Sequence, residues 1–326
     1  MNFDRIAPTI DLNVMQQSRV TVVGGAHDLI CGLVRSGLGA ASLVDFDRIS
    51  DSNPARQDFY STDLGQHKVE AVARYLSQIN PEVEVECHVR DYCEISTEEH
   101  DLLFGDTDLF IFATDFFPAQ ARGNLEALRL GKAAMWIGLY KDGRAGELIY
   151  YVPGVTEACY HCICSSRYQA FAAGAASIDS AGGTIFDLHL VDAIAGQIAV
   201  GILTRGADNR MGRLIERLGD RNLLQVKIDP EYRLAGKDVF AQYLGSHPAN
   251  FSFTTIALPM ERDQNCPDCG HRHSNVEEDA ESSHVELPEG NAGRACPDTS
   301  KNKGGDNDEK GHEAISHRRP NRSRAQ

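Results

Sequence analysis

Two Cys-x-x-Cys pairs stand far apart in this chain, Cys159-Tyr160-His161-Cys162 and Cys266-Pro267-Asp268-Cys269. Each pair puts two thiols on one tight turn, where they can grip a single metal ion. Four thiolates in a tetrahedron suit zinc. One pair alone could equally be a redox dithiol. Two pairs predict a structural clasp that ties the end of the chain back to its middle. His161, His271 and His273 flank the pairs, either as substitute ligands or as surface histidines beside a turn.

A second set of residues could handle phosphate. Gly24-Gly25 follows an apolar run and precedes a helical pattern, where backbone N–H groups attract anions. Asp45 comes about 20 residues later, the place of a ribose-binding acid in nucleotide-binding α/β folds. Asn53, Arg56 and Gln57 follow in Ser52-Asn53-Pro54-Ala55-Arg56-Gln57. An amide and a forked guanidinium there can hold phosphate oxygens. Lys68 falls near a helix start, an unfavourable place for a cation unless it serves a charge elsewhere. Asp115 ends an apolar run and could hold magnesium between phosphates. Taken singly, each has a plainer reading: a loop-opening Asp, a surface lysine, a turn or N-cap Asp.

These residues need a scaffold, and the apolar pattern supplies one. Arg19–Val23 reads as a buried strand, Leu29–Ser36 as a helix closed by Gly37, and Ala41–Phe46 as a second strand. This is a βαβ unit of a parallel sheet. Gly65–Ile79 is amphipathic, with Val69, Val72, Ala73, Leu76 and Ile79 on one face. Strands follow at Val83–Val89, Asp108–Ala113 and Ala133–Ile137, with a helix at Pro118–Leu130 between the last two. Gly146–Val152 alternates like an antiparallel strand, Phe186–Leu203 reads as a helix buried on most sides, and Leu223–Ile228 as a further strand. The Ala/Gly/Ser-rich stretch Tyr168–Gly183 reads as a mobile loop. The expected fold class is α/β: a doubly wound, mostly parallel, Rossmann-like sheet with an antiparallel extension and a zinc clasp. Residues 1–17 form an N-terminal segment and 18–273 one domain. The polar stretch 274–326 cannot bury enough apolar surface to order itself.

Composition narrows the function classes. The net charge of −15 over 326 residues argues against general nucleic-acid binding, which needs a basic footprint. The basic cluster His317–Arg324 reads as a solvated end. No run of about 18 uninterrupted apolar residues occurs, so no membrane span is expected. The first residues carry no basic stretch followed by an apolar one, so no secretory leader is expected. Nine cysteines, four of them in metal-type pairs, point to reduced thiols and a cytoplasmic location.

The ordered set Leu43-Val44-Asp45-Phe46-Asp47, Ser52-Asn53, Arg56-Gln57, Gly65-Gln66-His67-Lys68-Val69-Glu70-Ala71, Asn80-Pro81 and Ala113-Thr114-Asp115 resembles the ThiF/MoeB/HesA family. These are the ubiquitin-activating-enzyme-like adenylyltransferases, and the two cysteine pairs resemble their zinc clasp. The resemblance spans roughly residues 18–270. It implies a doubly wound sheet that binds MgATP and joins AMP to the C-terminal glycine carboxylate of a ubiquitin-like or sulfur-carrier protein, releasing pyrophosphate. By position, Gly24 lies in the phosphate turn and Asp45 holds the ribose. Asn53, Arg56 and Lys68 hold phosphates, Gln57 supports them, and Asp115 positions Mg2+. The catalytic set is Arg56, Lys68 and Asp115; the zinc ligands are Cys159, Cys162, Cys266 and Cys269. A homodimer is expected.

The chain departs from the family pattern in two places. The usual Gly-x-Gly-Gly-x-Gly is replaced by Gly24-Gly25-Ala26-His27-Asp28-Leu29, and the segment to Gly37 is about one helical turn shorter. Asp28 could cap its helix, and its charge opposes a nearby phosphate. No cysteine lies between Ser165 and Leu203, where thioester-forming relatives place one; Cys164 adjoins the metal turn, and Ser177 and Ser180 are poor replacements. Adenylation without a thioester in that loop is therefore expected. A binding scaffold with impaired catalysis is the alternative. An NAD-dependent oxidoreductase is weaker, since hydride transfer has no use for Asn53, Arg56, Lys68 or the cysteine pairs.

Overall fold

The structure, a computed structural model, describes residues 1–175, 182–234, 236–247 and 250–270. Ser177, Ser180, His271, His273, the polar stretch 274–326 and its basic cluster lie outside the described residues.

The first half alternates helices and strands: α1 (Leu12–Gln17), β1 (Arg19–Gly24), α2 (His27–Arg35), β2 (Ala40–Val44), α3 (Lys68–Ile79), β3 (Glu84–His88), α4 (Thr97–Phe104), β4 (Leu109–Ala113), α5 (Phe117–Leu130) and β5 (Ala133–Leu139). The second half holds β6 (Ala145–Tyr151), α6 (Tyr160–Ile163), α7 (Ser165–Ala172), α8 (Ile185–Leu203), α9 (Leu214–Leu218), β7 (Leu223–Lys227), α10 (Val239–Leu244) and β8 (Thr254–Leu258). All eight strands form one sheet in the order β3-β2-β1-β4-β5-β6-β7-β8. The first five run parallel, and β6 to β8 extend the sheet antiparallel from β5. This is the Rossmann-like mixed sheet expected.

Strand periodicity assigns side chains to two cores. Val22, Leu43, Ile111, Met135 and Leu148 pack with Leu33, Leu76 and Ile198 of α2, α3 and α8. Phe110, Phe112, Trp136 and Ile149 face the other way, with Phe117 of α5 and Tyr160 of α6. On that face Phe112, Trp136 and Tyr160 stack in sequence, with centroids 5.6 and 4.7 Å apart.

Several elements differ from expectation. Tyr168 belongs to α7, because its ring lies flat on His161 and edge-on to Phe117. The expected mobile loop therefore starts as a helix. The helix expected from Gly65 begins at Lys68, after a loop that returns to β2. α8 is long and apolar enough to cross a membrane by length and composition. Its Val191, Ala195, Ile198, Ala199 and Ile202 are instead buried, and it packs on α2, β5 and β6. It is not buried on most sides: Phe186, in its first turn, is 77% exposed. α4 was not expected, although Ser96 and Glu99 form a capping box at its start.

The seat of α8 depends on Gly146. A Cβ there would stand 2.3 Å from Cγ2 of Val191, so the helix meets the backbone of β6 directly. Gly146→Ala should therefore destabilise the fold by about 1–3 kcal/mol through overpacking. The cost should shrink in a Val191→Ala background, as a denaturant double-mutant cycle would measure. Equal costs in both backgrounds would contradict this contact.

Candidate functional site

Strand order reverses between β1 and β4, which opens a crevice at their carboxyl ends. Gly24 pairs with Ala113 there, and the Gly25 N–H donates to the Ala113 carbonyl at 3.0 Å. Gly24 has φ +90°, and a Cβ would lie 2.6 Å from the Ala113 oxygen, so only glycine fits. Gln57 Nε2 donates to the Gly25 carbonyl at 3.1 Å, and Asn53 Nδ2 donates to Gln57 Oε1 at 3.3 Å. Ser50 N–H donates to Asn53 Oδ1 at 2.8 Å. The Asn53–Gln57 segment is thereby tied to the glycine turn, and Arg56 sits inside it with its N–H on the Asn53 carbonyl.

Asp45 immediately follows β2, and its carboxylate accepts the Asp47 N–H at 2.8 Å. Lys68 opens α3, and its ammonium lies 2.7 Å from Asp47 and 4.0 Å from Asp45. Two carboxylates therefore offset the cation at a helix N-terminus. Burial pushes the Asp45 carboxyl above its ordinary value, while Lys68 pulls it back. Asp115 lies just beyond β4, across the crevice. The Thr114 hydroxyl accepts the Phe116 N–H, and Gln120 Nε2 donates to the Thr114 carbonyl at 2.5 Å. The structure thus gathers Gly24, Asp45, Asn53, Arg56, Gln57 and Lys68 around one turn, with Asp115 on the neighbouring strand end. A cavity lined by Gly24, Gly25, Asp45 and Lys68 encloses only about 20 Å³.

A much larger cavity, about 790 Å³, lies on the outer side of α2, between α3 and α8. Asp28, Asp58, His189 and Asp192 line it, together with His27. Ala26, not Asp28, is the N-cap of α2, and Asp28 stands in its first turn. Burial and the neighbouring Asp58 raise its carboxyl to about 6. Burial, then the charge of Asp28, raises Asp192 to about 7. Burial lowers His27 to about 4, and its ring stacks between Phe59 and Tyr75. Sequence reasoning did not place Asp58, His189 or Asp192 in any site. The one local signal was the i, i+3 spacing of His189 and Asp192 in an otherwise apolar helix.

The four cysteines converge. Sγ separations are 3.8 Å for Cys159–Cys162, 3.7 Å for Cys159–Cys266 and 3.5 Å for Cys162–Cys269. Tetrahedral zinc with bonds of about 2.3 Å has ligand atoms about 3.8 Å apart, so the set fits that ion. Burial pushes the Cys266 thiol up to about 12. Hydrogen bonds among the thiols hold Cys159 protonated and lower Cys162. A dication would resolve this crowding by ionising all four. Asn124, fully buried on α5, was missed from sequence: it reaches Cys159 Sγ at 3.6 Å and Asp268 at 2.7 Å, and accepts the Tyr160 N–H at 3.0 Å. His161 stands outside the thiolate set, paired with Asp268 at 3.1 Å. Cys164 is also outside it, and burial raises its thiol to about 12, which makes it a poor nucleophile.

Cys162→Ser should remove bound zinc and lower the melting temperature by about 5–10 °C, the shift of a few kcal/mol in a domain of this size. Elemental analysis beside a thermal melt checks both, and an unchanged zinc stoichiometry would contradict the four-thiolate set.

The ubiquitin-like modifier-activating enzyme 5 of Dictyostelium discoideum is 31% identical over 140 residues, which is 40% of this chain and 36% of that protein. The sulfur carrier protein adenylyltransferase of Thermus thermophilus is 31% identical over 158 residues, 46% of this chain and 56% of that one. The chain thus spans between 36% and 56% of the length of these curated relatives. Crystal structures of E. coli MccB share the fold. With succinimide the TM-score is 0.59 at 18% identity, covering 80% of this chain and 68% of that one. With ATP it is 0.57 at 18% identity, covering 79% and 68%. A sequence model of the ThiF family matches residues 5–212, which takes in β1 to β6, the glycine turn and the first cysteine pair, and the chain belongs to that family.

Proposed function

We propose that this chain is an ATP-dependent adenylyltransferase that activates the C-terminal glycine carboxylate of a ubiquitin-like or sulfur-carrier protein. The observation that carries this reading is the Asp45–Asp47–Lys68 cluster facing a glycine turn at the strand-order reversal. The names of the curated relatives support the choice of substrate class, and the MccB structure determined with ATP supports the nucleotide.

The chemistry follows from charge. A carboxylate oxygen attacks the α-phosphorus of ATP, the bond to the bridging oxygen breaks, and pyrophosphate leaves with that electron pair. Attacker and triphosphate repel each other, so cations must neutralise them and align the approach. Asp45 accepts hydrogen bonds from the ribose hydroxyls. Asn53 and Arg56 hold phosphate oxygens, braced by Gln57. Lys68 exchanges Asp47, a half-exposed partner, for phosphate while the buried Asp45 keeps it in place. Asp115 would hold Mg2+, which would supply charge neutralisation at the triphosphate. Cys159, Cys162, Cys266 and Cys269 would hold Zn2+ as a structural ion. A homodimer in the cytoplasm completes the proposal.

A second reading, a binding scaffold without catalysis, draws on two observations. The cavity lined by Gly24, Gly25, Asp45 and Lys68 encloses only about 20 Å³, and Asp28 puts a carboxylate in the first turn of α2. Magnesium-dependent ATP–pyrophosphate exchange separates the two. Exchange should require a carrier protein ending in Gly-Gly, and should fall about 10²–10³-fold in Asp115→Ala and in Lys68→Ala. Absence of exchange with every carrier, together with absence of ATP binding, would favour the scaffold.

A further inference from the structure

The large cavity behind α2 holds a constellation that adenylation does not use. Asp28 comes from the first turn of α2, Asp58 from the loop after the Asn53–Gln57 segment, and His189 from α8. One ligand atom from each lies within 4.8 Å of the others. His189 Nε2 is 3.4 Å from Asp28 Oδ2 and also 3.4 Å from Asp58 Oδ2. That nitrogen is buried, and neither 3.4 Å approach has the geometry of a hydrogen bond. A proton donated to either acid would draw its acceptor to about 2.8 Å. A shared ion gives another spacing: with bonds of about 2.1 Å to nitrogen and oxygen, a tetrahedral ion sets neighbouring ligand atoms about 3.4 Å apart.

A second observation points into the same place. His27 is 5% exposed, lines the cavity, and leaves Nδ1 without a hydrogen bond, 3.8 Å from Asp28 Oδ1. The two oxygens of Asp28 are thus divided between two histidines, Oδ1 towards His27 and Oδ2 towards His189. His27 is itself fixed between Phe59 and Tyr75 at centroid distances of 4.7 and 5.2 Å. A buried nitrogen behind a ligating carboxylate is the usual place of an outer-shell group that orients it. Asp192, one turn along α8 from His189, adds a further carboxylate to the cavity wall.

We propose that Asp28, Asp58 and His189 bind a divalent first-row transition ion, separate from the four-cysteine cluster. One imidazole with carboxylates suits zinc or manganese better than magnesium, which prefers all-oxygen octahedra. The three protein ligands leave a coordination position facing the cavity, where water or an anionic group completes the shell. Arg35 and Arg210, which also line the cavity, suit an anion. The ion would also neutralise Asp28, the charge most opposed to phosphate beside the glycine turn.

The test is titration of the full-length protein with Co2+, followed by calorimetry and visible absorption. Cobalt in a nitrogen and oxygen site gives weak visible bands without thiolate charge-transfer absorption, so the two sites separate spectrally. The expected result is uptake with that signature, weakened at least about tenfold in both His189→Ala and Asp58→Asn, with the thiolate bands unchanged. Their side chains are 41% and 54% exposed and stand on separate elements, so one variant remains informative if the other fails to fold. Uptake showing thiolate bands only, or affinity unchanged in a folded variant, would overturn the assignment.

Discussion

The close approach of β1 to β4 at Gly24 is the constraint on which the rest depends. Gly24 lies against the Ala113 carbonyl with no room for a side chain, and this fixes where the first turn leaves the sheet. From that point Gly25 can be held by Gln57, Gln57 by Asn53, and the start of α2 faces the crevice. On the far side the same register sets Thr114 and Asp115 immediately beyond β4. Asp45 and Lys68 then close the ring from β2 and α3. A side chain at residue 24 would separate the two strands whose ends define the site.

The cysteine cluster bears on the same crevice through a chain of contacts. Cys159 begins the short α6, and the next residue, Tyr160, stacks on Trp136 and donates its hydroxyl to Gln120 Oε1 at 2.6 Å. Gln120 in turn holds the Thr114 carbonyl, one residue before Asp115. Trp136 Nε1 donates to the Gln120 carbonyl at 3.0 Å. A metal clasp at the cysteines would hold more than the segment of Cys266 and Cys269. It would brace the aromatic stack and amide that set the loop carrying Asp115, a route for a structural ion to influence chemistry that it does not touch.

Much of this was legible in the sequence. The five parallel strands and the first two strands of the extension, β6 and β7, followed from apolar runs and their turns, with ends that agree to within a residue or two, whereas β8 was not read from the sequence. Lys68 was flagged by its unfavourable place at a helix start, and the carboxylates that offset it are the explanation. Other features depend on partners distant in sequence. Tyr168 sits in a helix because His161 and Phe117 clasp its ring, which composition rich in Ala and Gly conceals. Asp28 read as a cap or a hindrance to phosphate, and the neighbours that the fold brings to it, Asp58 and His189 of α8, are distant in sequence. α8 read as buried on most sides because hydropathy averages composition, while His189 and Asp192 face a cavity.

The central claim is that nucleotide binds over the Gly24–Gly25 turn with Lys68 as its phosphate ligand. A crystal structure with a non-hydrolysable ATP analogue and magnesium tests this most directly. The account predicts the triphosphate against the glycine turn, the ribose on Asp45, and the Lys68 ammonium moved from Asp47 to phosphate. An analogue lodged instead in the cavity of Asp28, Asp58 and His189, with the Lys68–Asp47 pair intact, would contradict it.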